Sequence, residues 1–388
     1  MKKITTILVS LIVAGSVLGV FPYRGIEFRQ GKLVVYEICL MAVMALIHFK
    51  NTWVKLFMLY ILFGALFFYR YPMQVSGRAT LLTHLTLWTI FITLSFYETI
   101  KKKITEKHFD LVLDIICAIT AIHALWLVMH YFGLFILIIP KDNFISDTVV
   151  KGLIYVSNCP HEYPFTGLLS NRNMAAALLA IGLPAFFRKK WWIFVPMILF
   201  CLYLVNCFGG TIPAVVAILM LLWRKNKLGA LISFLFVASL GLLTFKTRIF
   251  SPERWEVWSI IVHKLVKIRP CVGFGLGQFK MLFPIIHRLI FHGKFSNQLF
   301  YQAHNEYLQT LIEIGGIGLS IAVTFAISLY YKALKYKNEI AFIALMGITA
   351  CLLNAGVNFL FHTTTGLLFF LYAALIENQG GLKCQEIQ

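Results

Sequence analysis

The residues able to do chemistry in this 388-residue chain are few, and most lie at the ends of apolar runs. Ser170-Asn171-Arg172-Asn173-Met174 opens one run, and Arg254-Trp255 stands in a long loop that continues into Pro270-Cys271-Val272-Gly273-Phe274-Gly275-Leu276-Gly277. The loop closes on His304-Asn305-Glu306-Tyr307-Leu308-Gln309, which runs into Leu311-Ile312-Glu313-Ile314-Gly315-Gly316. Such types suit proton transfer by histidine near neutral pH and anion binding by the planar arginine fork. One at a time they are weak signals. His304 reads as an ordinary interfacial histidine, and Arg172 as a snorkelling anchor. The GxGxG run at 273–277 is not framed by the strand and helix of a soluble nucleotide-binding domain, so it reads as a flexible turn. Glu313 is harder to dismiss, because an ionisable group about two turns into an apolar helix is costly and is usually functional or paired. Gln302, Glu306, Gln309 and Glu313 recur at three- and four-residue spacing and form a polar seam on one helix face. No Asp-x-Asp, carboxylate cluster or Cys/His spacing points to a metal, so the site residues imply no metal and no cofactor.

The elements that must position these residues are membrane helices. The chain is 60% hydrophobic and 13% charged, with mean hydropathy +0.81. A water-soluble fold is closer to half apolar and a quarter charged, so the excess must face lipid or another hydrophobic helix. At about 20 apolar residues per span, the segments 4–20, 33–49, 54–69, 79–98, 110–135, 173–187, 191–207, 211–223, 228–245, 306–330, 339–356 and 359–376 predict about 12 transmembrane helices. The expected fold class is an all-α polytopic membrane protein, with residues 1–388 forming a single integral membrane domain.

Loop charges orient it. With Lys2 and Lys3 inside, the inward loops carry Lys50, then Lys101-Lys102-Lys103, Arg188-Lys189-Lys190, Arg224-Lys225-Lys227 and Lys332, Lys335 and Lys337. That is a positive-inside pattern with both termini cytoplasmic, clear from the fourth span onward. The first two outward loops fit less well, since they hold Arg24, Arg29 and Lys32, then Arg70 and Arg78. The net charge of +19 is thereby explained without nucleic acid as a partner. Two outward loops are long, 140–171 and 246–303. The larger begins as a helix, with Ser251 as cap, Pro252 in the first turn and Glu253 at the positive end. Trp255, Trp258, Ile261 and Leu265 recur there at helical spacing, which predicts an amphipathic helix able to lie at the membrane interface.

In combination the outer-end residues resemble the O-antigen ligase/polymerase family of bacterial membrane glycosyltransferases. The strongest match is His304-Asn305-x-x-Leu308-x-x-Leu311-x-Glu313-x-Gly315-x-x-Gly318-Leu319. Gly167-x-x-x-Asn171-x-Asn173 and Arg254-x-x-x-Trp258 leading to Pro270-x-x-Gly273-x-Gly275 support it, and the resemblance covers residues 165–320. There is one departure: Asn206-Cys207-Phe208-Gly209-Gly210 places Phe208 where the family carries an arginine.

The resemblance implies a GT-C-like fold in the bacterial inner (plasma) membrane with an extracytoplasmic active site. It implies a polyprenyl-pyrophosphate-linked glycan as donor, undecaprenyl being the carrier, and a glycolipid (lipid A-core) or growing glycan as acceptor. His304 would be the catalytic base for the acceptor hydroxyl. Arg254 and Arg172 would bind the pyrophosphate. Asn171, Asn173, Gly273, Gly275, Asn305, Glu306 and Glu313 would shape the site, Glu313 in a structural role. Ligase, polymerase and protein O-oligosaccharyltransferase remain open within the family, the last disfavoured by the lack of a large soluble C-terminal region. A glycolipid transporter or flippase, or a non-catalytic envelope scaffold, are the readings from other classes.

Overall fold

The computed structural model describes residues 28–67, 77–105, 108–132, 135–138, 154–157, 169, 172–235, 252–283, 302–336 and 338–379. Those residues are mostly helical. Among the described residues, three helices are long and apolar enough to cross a membrane: Phe109–Met129, Phe208–Lys225 and Glu306–Tyr336. Shorter apolar helices cover Ile38–His48, Thr52–Ala65, Arg172–Phe187, Lys190–Val205, Glu339–Ala355 and Leu367–Asn378. The expected span at 4–20 lies outside the described residues, and that at 228–245 is described, as helix, only to Leu235. The chain divides into two compact units, residues 1–103 with 250–332, and residues 104–249 with 333–388.

In the first unit, α1 (Phe28–His48) and α2 (Thr52–Phe67) form a hairpin that touches α3 (Gly77–Lys103). Asn51 starts α2 by accepting the N–H groups of Trp53 and Val54 on its side chain, which satisfies donors the helix leaves open. The buried Glu98 carboxylate on α3 in turn accepts the Asn51 N–H at 2.9 Å. Phe49, fully buried in the hairpin turn, packs on Phe91 of α3.

The second unit is built around the Ala-rich α5 (Arg172–Gly182), in which every residue from Met174 to Gly182 is buried. Around it stand α4 (Phe109–Tyr131), α6 (Val195–Val205), α7 (Phe208–Lys225), α10 (Glu339–Ala355) and α11 (Leu367–Asn378). Small side chains let backbones approach, as in membrane helix packing. At Gly210 of α7, an added Cβ would stand 2.6 Å from the Ala176 carbonyl oxygen of α5. Pro213 lies inside α7 and offers no N–H to the Gly209 carbonyl one turn earlier. The buried Asn354 of α10 supplies the missing donor from its Nδ2. At the other end of α5 the helix tightens into a 3-10 turn, Leu183–Phe187 with Pro184 in its first turn, and Tyr372 of α11 donates to the Ile181 carbonyl at 2.9 Å. The basic turn after it is anchored rather than loose: Arg188 pairs with Asp110 and Asp114 of α4, and Lys190 and Trp191 also reach Asp114.

Part of this unit is not helical. Beyond α4, strands β1 (Phe135–Ile138) and β2 (Ile154–Ser157) pair antiparallel, Phe135 opposite Ser157. The sequence reading carried the fifth span to residue 135 and put β2 in a loop. Apolar runs of four to eight residues suit either a helix or a strand, and periodicity alone does not separate them.

Candidate functional site

The site residues of the first unit gather around one broken helix. Helix α9 runs from Glu306 to Tyr336, but Gly315 interrupts it with φ 69° and ψ −177°. Only glycine takes such a conformation without strain. The break strips backbone groups of their helical partners, and all of those shown here are satisfied from outside the helix. The carbonyls of Ile312 and Glu313 accept the N–H groups of Phe274 and Gly275 at 2.7 and 2.8 Å. The N–H groups of Gly316 and Ile317 donate to Pro270 and Cys271. Tyr60 of α2 donates to the Ile314 carbonyl at 2.9 Å. The glycine-rich run is therefore no flexible turn. Residues 273–279 are buried and paired to the break, and Gly273, at φ 69°, leaves no room for a Cβ, which would stand 2.5 Å from the Ile312 oxygen.

Glu313 is the hub of this joint. Its carboxylate accepts N–H groups from Gly277 at 2.9 Å and Phe279 at 3.4 Å, and the Gln309 side-chain amide at 3.3 Å. Gln309 then accepts the Ala303 N–H at 3.1 Å. Of the polar seam read from the sequence, Gln309 and Glu313 thus form a chain of hydrogen bonds from the Gly-rich segment to the residue before His304. Thr83 of α3 extends it, accepting from Gln278 at 2.7 Å and donating to the Leu276 carbonyl at 3.1 Å. A carboxylate that receives two backbone N–H groups and a side-chain amide this way ties the Gly-rich segment to α9.

His304 sits where the chain enters α9. Its backbone is left-handed, φ 51°, which is uncommon for a residue with a Cβ and marks a site held by its surroundings. Its two chain neighbours are held in place. On one side Ala303 is pinned by Gln309 and by the buried Trp258 indole, which donates to the Ala303 carbonyl at 2.8 Å. On the other, Asn305 caps α9, accepting the Leu308 N–H at 3.0 Å. Glu306 is buried in the first helical turn, where a negative charge suits the positive helix end. Burial pushes the His304 pKa down from 6.5 to about 4, and the nearby Arg254 cation adds to that shift. Arg254 and His304 are thus brought into electrostatic contact.

Arg254 stands on α8 (Pro252–Ile260), which continues through a π-helical stretch, Ile261–Leu265, into a last helical turn, Val266–Ile268. The wider π turn inserts about one residue and keeps both Ile261 and Leu265 in the core beside Trp258, Phe274, Phe279 and Ile312. Here the sequence reading needs correction. The apolar stripe at Trp258, Ile261 and Leu265 is covered by the protein's own Gly-rich segment and α9, so it does not rest on lipid, and Trp255 falls outside it at 61% exposure.

Arg172 and Asn173 open α5 in the second unit. Arg172 is exposed, and Asn173 accepts from the Cys207 thiol at 2.9 Å. Asn171 lies outside the described residues. Phe208 is the first residue of α7, and Cys207 before it gives no side-chain cap. Sequence reasoning missed Tyr60, Thr83 and Asn354, each of which serves a distant backbone group; only the Gly315-Gly316 pair and Pro213 signalled that such groups would need partners.

Fold and site together define a helical chain with helices of membrane-crossing length and a His/Arg pair at the mouth of a broken helix. No family model matches the chain, and no curated protein matches it.

Proposed function

We propose that this chain is a metal-independent glycosyltransferase of the O-antigen ligase/polymerase type. It would work on the outer face of a bacterial plasma membrane, spanning it about twelve times with both termini inside. The observation that carries the reading is His304, fixed in a left-handed conformation beside Arg254 at the entrance to α9. In the proposed step an acceptor sugar hydroxyl attacks the anomeric carbon of a polyprenyl-pyrophosphate-linked glycan. The new glycosidic C–O bond forms as the bond to the pyrophosphate breaks, and the pyrophosphate leaves with the electron pair. The hydroxyl proton passes to His304. A pyrophosphate is already a weak base, so it needs charge stabilisation more than an acid. Arg254 supplies that as a permanently charged fork, and Arg172 is assigned the same role on sequence grounds alone.

The low His304 pKa fits a base that fills its role only when substrate is present. Without substrate the imidazole is neutral and a weak base, first because it is buried and second because Arg254 is near. A bound pyrophosphate offsets the arginine charge and raises the basicity of His304 when a proton must be taken. Glu313 lies in the outer part of α9, residues 306–314, while residues 316–336 alone give roughly 30 Å of helix, one hydrocarbon thickness. On that placement Glu313 is buried in protein and not in lipid.

The non-catalytic scaffold keeps one specific observation in its favour, the absence of a cation at Phe208. Deletion of the gene followed by electrophoresis of the cell's surface glycolipids tests the proposal. Loss of all capping on the core identifies a ligase, and loss of long chains only a polymerase. An unchanged glycolipid profile contradicts both.

A further inference from the structure

The basic turn that ends the α8 segment lies at a level along α9 that the break itself fixes. Gly316 and Ile317 donate to the carbonyls of Pro270 and Cys271 at 2.7 and 3.1 Å, so residues 268–271 are tied to the first turn of the 316–336 helix. That helix is about one hydrocarbon thickness long, and Tyr330, Tyr331, Lys332, Lys335 and Tyr336 mark its far end with the aromatic and basic residues of a membrane boundary. Its near end at Gly316 therefore lies at the opposite boundary, and the turn at 264–269 lies in the adjoining headgroup layer.

The composition of that turn suits such a layer. Lys264, Lys267 and Ile268 are exposed, Ile268 at 58%. The Arg269 guanidinium rests over the buried Phe274 ring, 5.8 Å from its centroid. From Val257 to Phe283 the chain has no acidic residue. Tyr60 reaches the same level, donating to Ile314 and, at 3.4 Å, to Cys271. An exposed isoleucine flanked by lysines matches a surface of acyl chains under anionic phosphates.

We propose that Lys264 and Lys267 bind the phosphate of an anionic phospholipid headgroup in the outer leaflet, with Ile268 inserted beside its acyl chain. The inference rests on α9 spanning the bilayer with its Gly316 end on the outer side, as proposed above, and is independent of glycosyl transfer. It is tested by placing photoreactive benzoylphenylalanine at Ile268 in the full-length protein, in nanodiscs holding equal phosphatidylglycerol and phosphatidylcholine. Two lysines near an anionic surface give a preference of roughly 30-fold, so the cross-linked adduct is expected to be almost entirely phosphatidylglycerol. The Lys264→Gln/Lys267→Gln variant is expected to bring the two lipids close to parity. The same photoprobe at Ser259, exposed two turns away, is the reference and is expected to give little lipid adduct. It also separates failed folding from failed binding, because both probes are compared only in protein that elutes as a single species. Equal labelling of both lipids, an adduct with a lipid-linked glycan, a cross-link to protein, or no adduct at Ile268 would each overturn the proposal.

Discussion

The Glu313 carboxylate accepts the backbone N–H of Gly277 at 2.9 Å, across 36 residues of chain. That bond, with those to Phe279 and Gln309, joins the Gly-rich segment to the helix that begins beside His304. The joint is what makes the site a fixed object rather than a loop end.

Replacing Glu313 with Ala is therefore expected to destabilise the first unit by about 3 kcal/mol or more, because buried N–H donors lose a charged acceptor. Glu313→Gln keeps one acceptor and the shape, and should lose less. Thermal unfolding in detergent ranks the two; equal losses would show that the carboxylate's hydrogen bonds do not matter.

Gly315→Ala should be among the most damaging single changes in the chain. A Cβ there would stand 2.2 Å from the Cys271 oxygen, at a φ of 69° that L-residues rarely adopt. Restoring a straight helix would instead sever four backbone bonds to the Gly-rich segment. Limited proteolysis between residues 252 and 283 reads the outcome, and wild-type resistance would contradict it.

The break also shows what the sequence could and could not disclose. Apolar run length located helices among the described residues, three of them long and apolar enough to cross a membrane. It did not reveal Gly315 as a break, because apolar residues continue unchanged on either side. Glu313 consequently read as an intramembrane acid. The π turn at Ile261–Leu265 was invisible for a related reason: it shifts backbone hydrogen bonds without altering the residue pattern. The His304 motif was legible because its residue types are costly in apolar surroundings. Gln309 and Glu313 were also legible, from their four-residue spacing, whereas Trp258, which holds Ala303 from 45 residues away, is a partner that spacing does not connect.

In the second unit, Asn354→Ala should cost about 1–3 kcal/mol by leaving the Gly209 carbonyl without a donor. In a Pro213→Ala background the helix regains its own N–H for that carbonyl, so the cost should shrink. A double-mutant cycle by thermal unfolding measures the coupling, expected near 1 kcal/mol; strict additivity would contradict the compensation.

His304 makes stability and activity depend on pH in a stated direction. Its folded-state pKa, about 4, lies below the ordinary 6.5, so the unfolded chain binds the proton more readily. This contribution to stability is complete above about pH 6.5 and is lost as the pH falls toward 4. The acid limb of kcat/KM should fall near 4 and not near 6.5. Arg254→Gln should raise it part of the way, burial being the larger cause of the shift. An acid limb at 6.5 in the wild type would contradict the assignment.

The most direct test of the catalytic claim is transfer of labelled lipid-linked glycan to acceptor in membranes carrying His304→Ala, beside Arg254→Ala and Arg254→Lys. Losing a positioned general base is expected to slow transfer by roughly a hundredfold or more, with Arg254→Lys retaining more activity than Arg254→Ala. Transfer at the wild-type rate by the His304→Ala protein would contradict the account.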